Sequence, residues 1–320
     1  MVNQKAEMLR IAERLGVSIS SVEEEINKLR LNQLKIVDVL PEMLMMVRSL
    51  IATETFTYKR NPIDIMDKGL LISFHNIFNN EIQLKTFARR KLNSQPHVHI
   101  IPSHLESEVV FPKDIHVQQI TILVELEYLK RFLGKDHDKM DYLFDTEKTF
   151  WIEEFMSPQM AVLVNEMVSI SQEVMLSQAF YRLKALELLY LLFSNLLQRE
   201  KTAHHELSNT EIETVYLVRN AIASSLDKML SKDELVKLSG LNEVKLRRIF
   251  TQVFGKGLYT YYNHLRVEEA AKLLKHDELS VSEVGYQLGF SNLSYFGRLF
   301  EKHFGLKPKK WQNENKTKNR

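Results

Sequence analysis

Two stretches of this chain, 230–255 (LSKDELVKLSGLNEVKLRRIFTQVFG) and 279–305 (LSVSEVGYQLGFSNLSYFGRLFEKHFG), are one helix-turn-helix pattern written twice. At a shift of 49 residues, Leu230, Ser231, Glu234 and Gly240 fall on Leu279, Ser280, Glu283 and Gly289. After one extra residue the shift becomes 50, and Arg248, Phe250, Phe254 and Gly255 fall on Arg298, Phe300, Phe304 and Gly305. A repeated supersecondary unit with a turn glycine in a fixed place restricts the fold severely. Each copy opens on a Ser-x-x-Glu capping box and closes its first helix near the glycine. Between the copies, 258–276 (LYTYYNHLRVEEAAKLLKH) reads as one amphipathic helix. At about 1.5 Å per residue it spans roughly 25–30 Å, which suits two motifs set about one duplex turn apart. A further helix precedes the first copy, starting at Asn209 or Thr210, with Ile212, Val215, Val218, Ala221 and Ile222 on one stripe. Residues 210–312 are therefore expected to form an all-α domain with two helix-turn-helix motifs.

In the second copy Phe290, Phe296, Leu299, Phe300 and Phe304 supply the faces that lock helices together. The residues left outward are Asn292, Ser294, Tyr295, Arg298 and Lys302, at the spacing of one exposed helical face. Amides and hydroxyls suit base edges or phosphates, and a guanidinium suits guanine or phosphate. The equivalent face of the first copy carries Glu243, Lys245, Arg247 and Arg248. Arg248 and Arg298 hold the same place in both copies, so a shared structural role, such as a buried ion pair, competes with base reading. Lys307 completes the expected DNA-binding set.

Charge agrees with that division. Residues 210–320 carry 19 Lys and Arg against 13 Asp and Glu, while the rest of the chain carries 24 against 28. A basic C-terminal part on a mildly acidic N-terminal part suits an anionic partner for the former. The chain has 320 residues and no cysteine, which excludes disulfides, thiolate catalysis and Cys-ligated zinc. The start, MVNQKAEMLRIAERLG, is too charged for the core of a secretory signal. The most apolar segment, 183–197, is too short to span a bilayer, so a soluble cytoplasmic protein without membrane partners is expected.

Upstream, 33–128 reads as five to eight short strands: 34–40, 54–60, 69–75, 96–102, 107–112 and 118–126 are β-branched, aromatic or alternating runs split by turn signals. Such a pattern suggests a sandwich or small barrel. The run 42–50 fits strand or helix. Residues 129–200 read as helical, and 183–197 is apolar on more than one side, so it needs another element or subunit to cover it. Residues 201–209, including the histidine pair His204 and His205, are expected to be a solvated linker, and 313–320 a disordered tail. Within 1–32, Ala12, Gly16 and Val22 have the spacing of an extra helix-turn-helix, or of a plain helical hairpin.

The runs RVEEAAKLL at 266–274 and SVSEVGYQLGFSNLSYFGRLFEKHFGLKP at 280–308 resemble the AraC/XylS family of bacterial transcription regulators. The likeness covers about 100 residues, 210–312, including the closing Gly305-x-x-Pro308 and Trp311. Gly285 stands where alanine is usual, and Leu258 where the first copy commonly has proline. The resemblance implies an activator that binds double-stranded promoter DNA through both motifs and contacts RNA polymerase. It also implies a cupin-like N-terminal sensor of a small-molecule effector and a helical dimerisation segment, hence a homodimer. The run YRLKALELL at 181–189 is similar to the branch that includes siderophore-responsive regulators. The overall expectation is a multidomain α+β chain: β-barrel or cupin-like sensor, helical dimerisation segment, all-α DNA-binding domain.

An enzyme is not expected, and neither is a cofactor. The family's DNA-binding module also occurs fused to DNA-repair methyl acceptors, but those need a cysteine nucleophile, and Ser/His/Asp and phosphate-loop signatures are missing. The alternative function class rests on His97 and His99, two apart on one strand face with Glu106 or Glu108 following. Metal-binding cupins use a pattern of that kind, so these residues would mark a metal-dependent enzyme or sensor.

Overall fold

The computed structural model describes residues 28–60, 62–63, 68–78, 96–170, 175–276 and 279–317. The extra motif expected within 1–32, with Ala12, Gly16 and Val22, lies outside them. Two compact units emerge: one takes residues up to Arg199 and 204–208, the other 200–203 and the chain from Asn209 onward. Among the described residues no helix is long and apolar enough to cross a membrane.

The first unit is built on antiparallel strands β1 (Leu29–Leu40), β2 (Met43–Ala52), β3 (Phe56–Arg60), β4 (Gly69–Phe78), β5 (His97–Pro102), β6 (Ser107–Phe111), β7 (His116–Glu125) and β8 (Ile152–Phe155). Six form a sheet in the order β1-β2-β7-β4-β5-β8, and β3 pairs with β6 in a separate ribbon. Among the described residues the six-stranded sheet is open, with β1 and β8 at its edges, so the barrel expected from the sequence is not closed. The ambiguous run 42–50 is strand β2, its β-branched and Met side chains alternating against β7. Strand β8 falls inside the stretch read as purely helical; four residues are too few to impose a visible period of two.

Helices α1 (Leu126–Leu133), α2 (Pro158–Ser169) and α3 (Ser177–Leu196), with a 3-10 segment at Gly134–Leu143, complete this unit. Val47, Ile72, Phe74, Ile100, Ile120, Ile122 and Ile152 from one sheet face meet Met160, Val164, Leu188, Leu189 and Leu192 from the helices in the main core. Each such side chain contributes roughly 1.5–3 kcal/mol on burial. The opposite sheet face is apolar at one end (Leu44, Leu71, Ile101, Leu123) and at the other (Leu50, Val117), with polar residues between. Buried Arg199 and Glu154 pair at 2.8 Å. His204 does not belong to a solvated linker: its ring stacks on Tyr142 at 3.7 Å, and burial lowers its pKa to about 4.

The second unit is all helix: α4 (Asn209–Ser224), α5 (Lys232–Ser239), α6 (Glu243–Phe254), α7 (Leu258–His276), α8 (Val281–Gln287), α9 (Leu293–Phe304) and α10 (Pro308–Thr317). Helix α10 runs through most of the segment expected to be a disordered tail. It is anchored: Trp311 packs against Phe300 and Phe304, and buried Gln312 donates its amide to the Leu279 carbonyl at 2.9 Å. Both anchors lie within the expected domain 210–312, and only the continuation of the helix through 313–317 was hidden by hydrophilic composition.

Candidate nucleic-acid interface

Both motifs are framed by the same local chemistry. Ser231 accepts from the Glu234 N–H at 3.3 Å while the Glu234 carboxylate accepts from the Ser231 N–H at 2.7 Å. Ser280 and Glu283 repeat those bonds at 3.3 and 2.7 Å, so both capping boxes read from the sequence form. These bonds hold both glutamates below the usual carboxylate range. Gly240 and Gly289, at φ 66° and 74°, turn the chain toward the second helix of each motif.

Those second helices, α6 and α9, have 12 residues each and share both ends. Asn242 caps α6 by accepting from the Lys245 N–H at 2.9 Å, and Asn292 caps α9 by accepting from the Tyr295 N–H at 2.9 Å. Both helices close on a left-handed glycine, Gly255 or Gly305. The Asn292 oxygen, placed from the sequence on the face for base edges or phosphates, is thus engaged in starting its own helix, satisfying one of the orphan N–H groups there.

Helix α7 joins the motifs and locks the second one. Arg266, 5 % exposed, donates from Nε to the Leu288 carbonyl at 2.9 Å and from Nη1 to the Asn263 side chain at 3.0 Å. Its guanidinium lies 3.4 Å above the centre of the Phe290 ring. One arginine therefore satisfies the carbonyl end of α8 and stacks on the core of the motif. It stood in the family-like run, but nothing in its spacing announced burial.

The ten residues singled out from the sequence divide by environment. On α9, Ser294, Arg298 and Lys302 are exposed and recur every four residues along one side. Tyr295 is half-buried, its hydroxyl 3.4 Å from the Asn263 amide, and burial raises its pKa. On α6, Glu243 and Arg247 are exposed, and Glu243 pairs with Lys232 at 2.8 Å, which holds its carboxyl below the usual range. Lys245 is half-buried and pairs with Glu211 on α4 at 2.8 Å, which orients it toward the domain. Arg248 is half-buried and exposed Arg298 is not, so the two do not share a buried ion pair. Lys307 is exposed just before α10. Sequence reasoning missed Val244, 79 % exposed at the start of α6, since a valine on a helix is normally assigned to the core.

Arg247, Arg248 and Val244 also line a shallow depression with Lys201 and Thr202. Each motif thus presents a short exposed ridge with one or two cations, mounted on a helix closed at both ends. A ridge of that size fits a major groove, where side chains reach both base edges and phosphates.

The histidines of the alternative function class sit elsewhere. His97 and His99 share one face of β5, as their spacing requires, but exposed Glu106 is not their partner: His99 instead meets Glu153 of β8 at 3.1 Å.

The family match falls within the second unit. A domain family described as "Helix-turn-helix domain" matches residues 235–314. The chain is 31% identical over 131 residues to an HTH-type transcriptional activator RhaR of Salmonella schwarzengrund, a match covering 40% of this chain and 46% of that one. It is 28% identical over 132 residues to the RhaR of Klebsiella pneumoniae, covering 41% and 47%. The chain thus spans about half the length of the curated relatives it matches. Among solved structures, a transcriptional regulator with an AraC-type DNA-binding domain from Chromobacterium violaceum aligns at 23% identity and TM-score 0.32, over 34% of this chain and 96% of that one.

Proposed function

We propose, from a second unit that belongs to the AraC/XylS helix-turn-helix family, that this chain is a DNA-binding transcriptional activator reading promoter DNA with two non-equivalent helices. One observation carries the proposal: α6 and α9 have identical caps and length but different outward residues. Glu243, Val244 and Arg247 form one ridge, and Ser294, Arg298 and Lys302 the other. Equal frames place the ridges equivalently, and unequal ridges suit an asymmetric site. Helix α7 has 19 residues, hence a length of about 28 Å, somewhat shorter than the roughly 34 Å rise of one duplex turn. Arg247 and Arg298 are assigned to base edges, Lys302 and Lys307 to phosphates, and Ser294 to either.

The first unit is assigned the sensing of a small-molecule effector and the pairing of two copies. Pairing is supported by Leu183, Tyr190 and Leu197, exposed by 69, 64 and 39 % and recurring every seven residues along α3 and just past its end. A seven-residue apolar stripe is the pattern by which helices pair. RNA polymerase as a partner and a cytoplasmic setting follow from the activator role.

The experiment is a selection of duplexes from a randomised pool, followed by affinity measurement across salt. Log affinity should fall steeply and linearly with log salt, by about 0.9 per phosphate neutralised. Arg298→Ala should cost about 1–3 kcal/mol and relax preference at one base position. Lys302→Ala should weaken all sequences alike and lower the salt slope by about one. No enrichment, or an affinity indifferent to salt, would sink the assignment.

A further inference from the structure

The first unit holds a cluster that transcription does not explain. Strand pairing sets His75 of β4 directly opposite His97 of β5, and alternation along β5 puts His99 on the same face. The three rings lie with centroids 4.6–4.9 Å apart, and one nitrogen from each falls within 4.8 Å of the other two. His97 is 5 % exposed, and the other two are half-buried.

We propose that His75, His97 and His99 form a binding site for one divalent transition-metal ion, independent of the DNA-binding assignment. Metal–nitrogen bonds of about 2.0–2.1 Å in a tetrahedral site require nitrogens about 3.3 Å apart, so ring movements of about 1 Å close the cluster on an ion.

The surroundings prepare the rings for ligation. His99 donates from Nε2 to the carboxylate of Glu153 at 3.1 Å, which leaves the lone pair on Nδ1. Glu153 is 4 % exposed and lies on β8 directly across from His99. A buried carboxylate that fixes the tautomer and raises the basicity of a ligating histidine is the usual outer support of such sites. Against ligation, the amide N–H of Gln119 on β7 donates to Nε2 of His75 at 3.3 Å, a bond that an ion taking that nitrogen would displace. Burial, then the neighbouring rings His97 and His99, then Arg48 hold His75 well below its ordinary pKa. Of the charged groups facing the cluster, Arg48 disfavours a cation and Glu153 favours one.

The donor set also selects the ion. Three imidazoles and no cysteine suit Zn²⁺, Co²⁺, Ni²⁺ or Fe²⁺. Ca²⁺ and Mg²⁺ need six or more oxygens, which a single carboxylate does not supply. Three protein ligands leave at least one position open for water or a small molecule.

The test is titration of the chelator-treated full chain at pH 7.5 with Co²⁺, followed by its visible d–d bands, and with Zn²⁺ by calorimetry. One equivalent should bind with the intense bands of a four- or five-coordinate site. His75→Asn and His97→Asn should each lower affinity at least 100-fold, and Glu153→Gln by about 10–100-fold. His264→Asn, in the separate cluster of His264, Glu268 and His303 in the second unit, should leave that equivalent in place. Absence of uptake at micromolar Co²⁺, or uptake unchanged in the sheet variants, overturns the proposal. If circular dichroism shows that His97→Asn unfolds the sheet, half-buried His75 decides, and unchanged binding in His75→Asn then overturns it.

Discussion

Replacing Gly289 by alanine should damage the second unit far more than the same change at Gly240, although the two occupy equivalent turns. Their backbones are alike, with φ 74° and 66°, so each alanine meets the left-handed penalty of about 1–2 kcal/mol. Alanine also restricts the unfolded chain, which returns about 0.4–1 kcal/mol. At Gly240 nothing lies within 4 Å of an added Cβ, and the net cost should be about 1 kcal/mol. At Gly289 the added Cβ would sit 2.7 Å from the carbonyl carbon of Asp227 and 3.0 Å from its Cα, with the carbonyl oxygen closer still. That obstacle is backbone, and it is held: Tyr262 donates to the adjacent Leu226 carbonyl at 3.0 Å. Clearing it requires a main-chain shift, for which overpacking adds about 1–3 kcal/mol, for a total of about 2–4 kcal/mol. The chain has two tryptophans, and Trp311 lies in the second unit. In a Trp151→Phe background its fluorescence reports that unit alone during urea unfolding. Gly240→Ala should move the midpoint modestly, and Gly289→Ala should abolish most of the folded baseline. Equal losses, within about 0.5 kcal/mol, would refute the claim that close approach rather than dihedral angle fixes this glycine.

Arg266→Ala should cost about 3–5 kcal/mol in the same assay, because it leaves the Leu288 carbonyl without its buried cationic donor. Arg266→Lys should recover little, since an ammonium cannot both stack on Phe290 and hold two partners; full recovery would show that charge alone matters. The folded pKa of His204 is about 4 against an ordinary value of 6.5, so the unfolded chain binds the proton more readily. Its contribution is complete above pH 6.5 and is lost as pH falls from there to about 4, amounting to roughly 2 kcal/mol after allowance for partial exposure. Thermal melts of the first unit between pH 7.5 and 4.5 should flatten in His204→Phe, which keeps the stack on Tyr142; an unchanged pH dependence would assign it to other groups.

The second unit was legible because its signals are local. A capping box spans four residues, a turn glycine one, and a core stripe repeats every turn, so the two motifs could be read before any contact was known. Assignments that depended on tertiary surroundings fared differently. Lys245 carries a free-looking charge, yet Glu211, 34 residues earlier, takes it. The first unit was legible as strands but not as a sheet, since pairing of β7 between β2 and β4 is a long-range choice. His75 and Glu153 illustrate the cost: they lie 78 residues apart in sequence, and only the ordering β4-β5-β8 brings them to His97 and His99.

The matched ends of α6 and α9 have an evolutionary consequence. Each helix is secured by an asparagine before it, a glycine after it and an inward aromatic row, none of which overlaps its exposed ridge. Under the proposed assignment, changes at Val244, Arg247, Ser294 or Arg298 would alter what is recognised without loosening what is folded, since such exposed substitutions usually stay within about 0.5 kcal/mol. Binding preference can drift in one half of the domain while the other half keeps the chain at its old address. Mutation can thus retarget such a protein gradually, one half-site at a time, without passing through an unfolded ancestor.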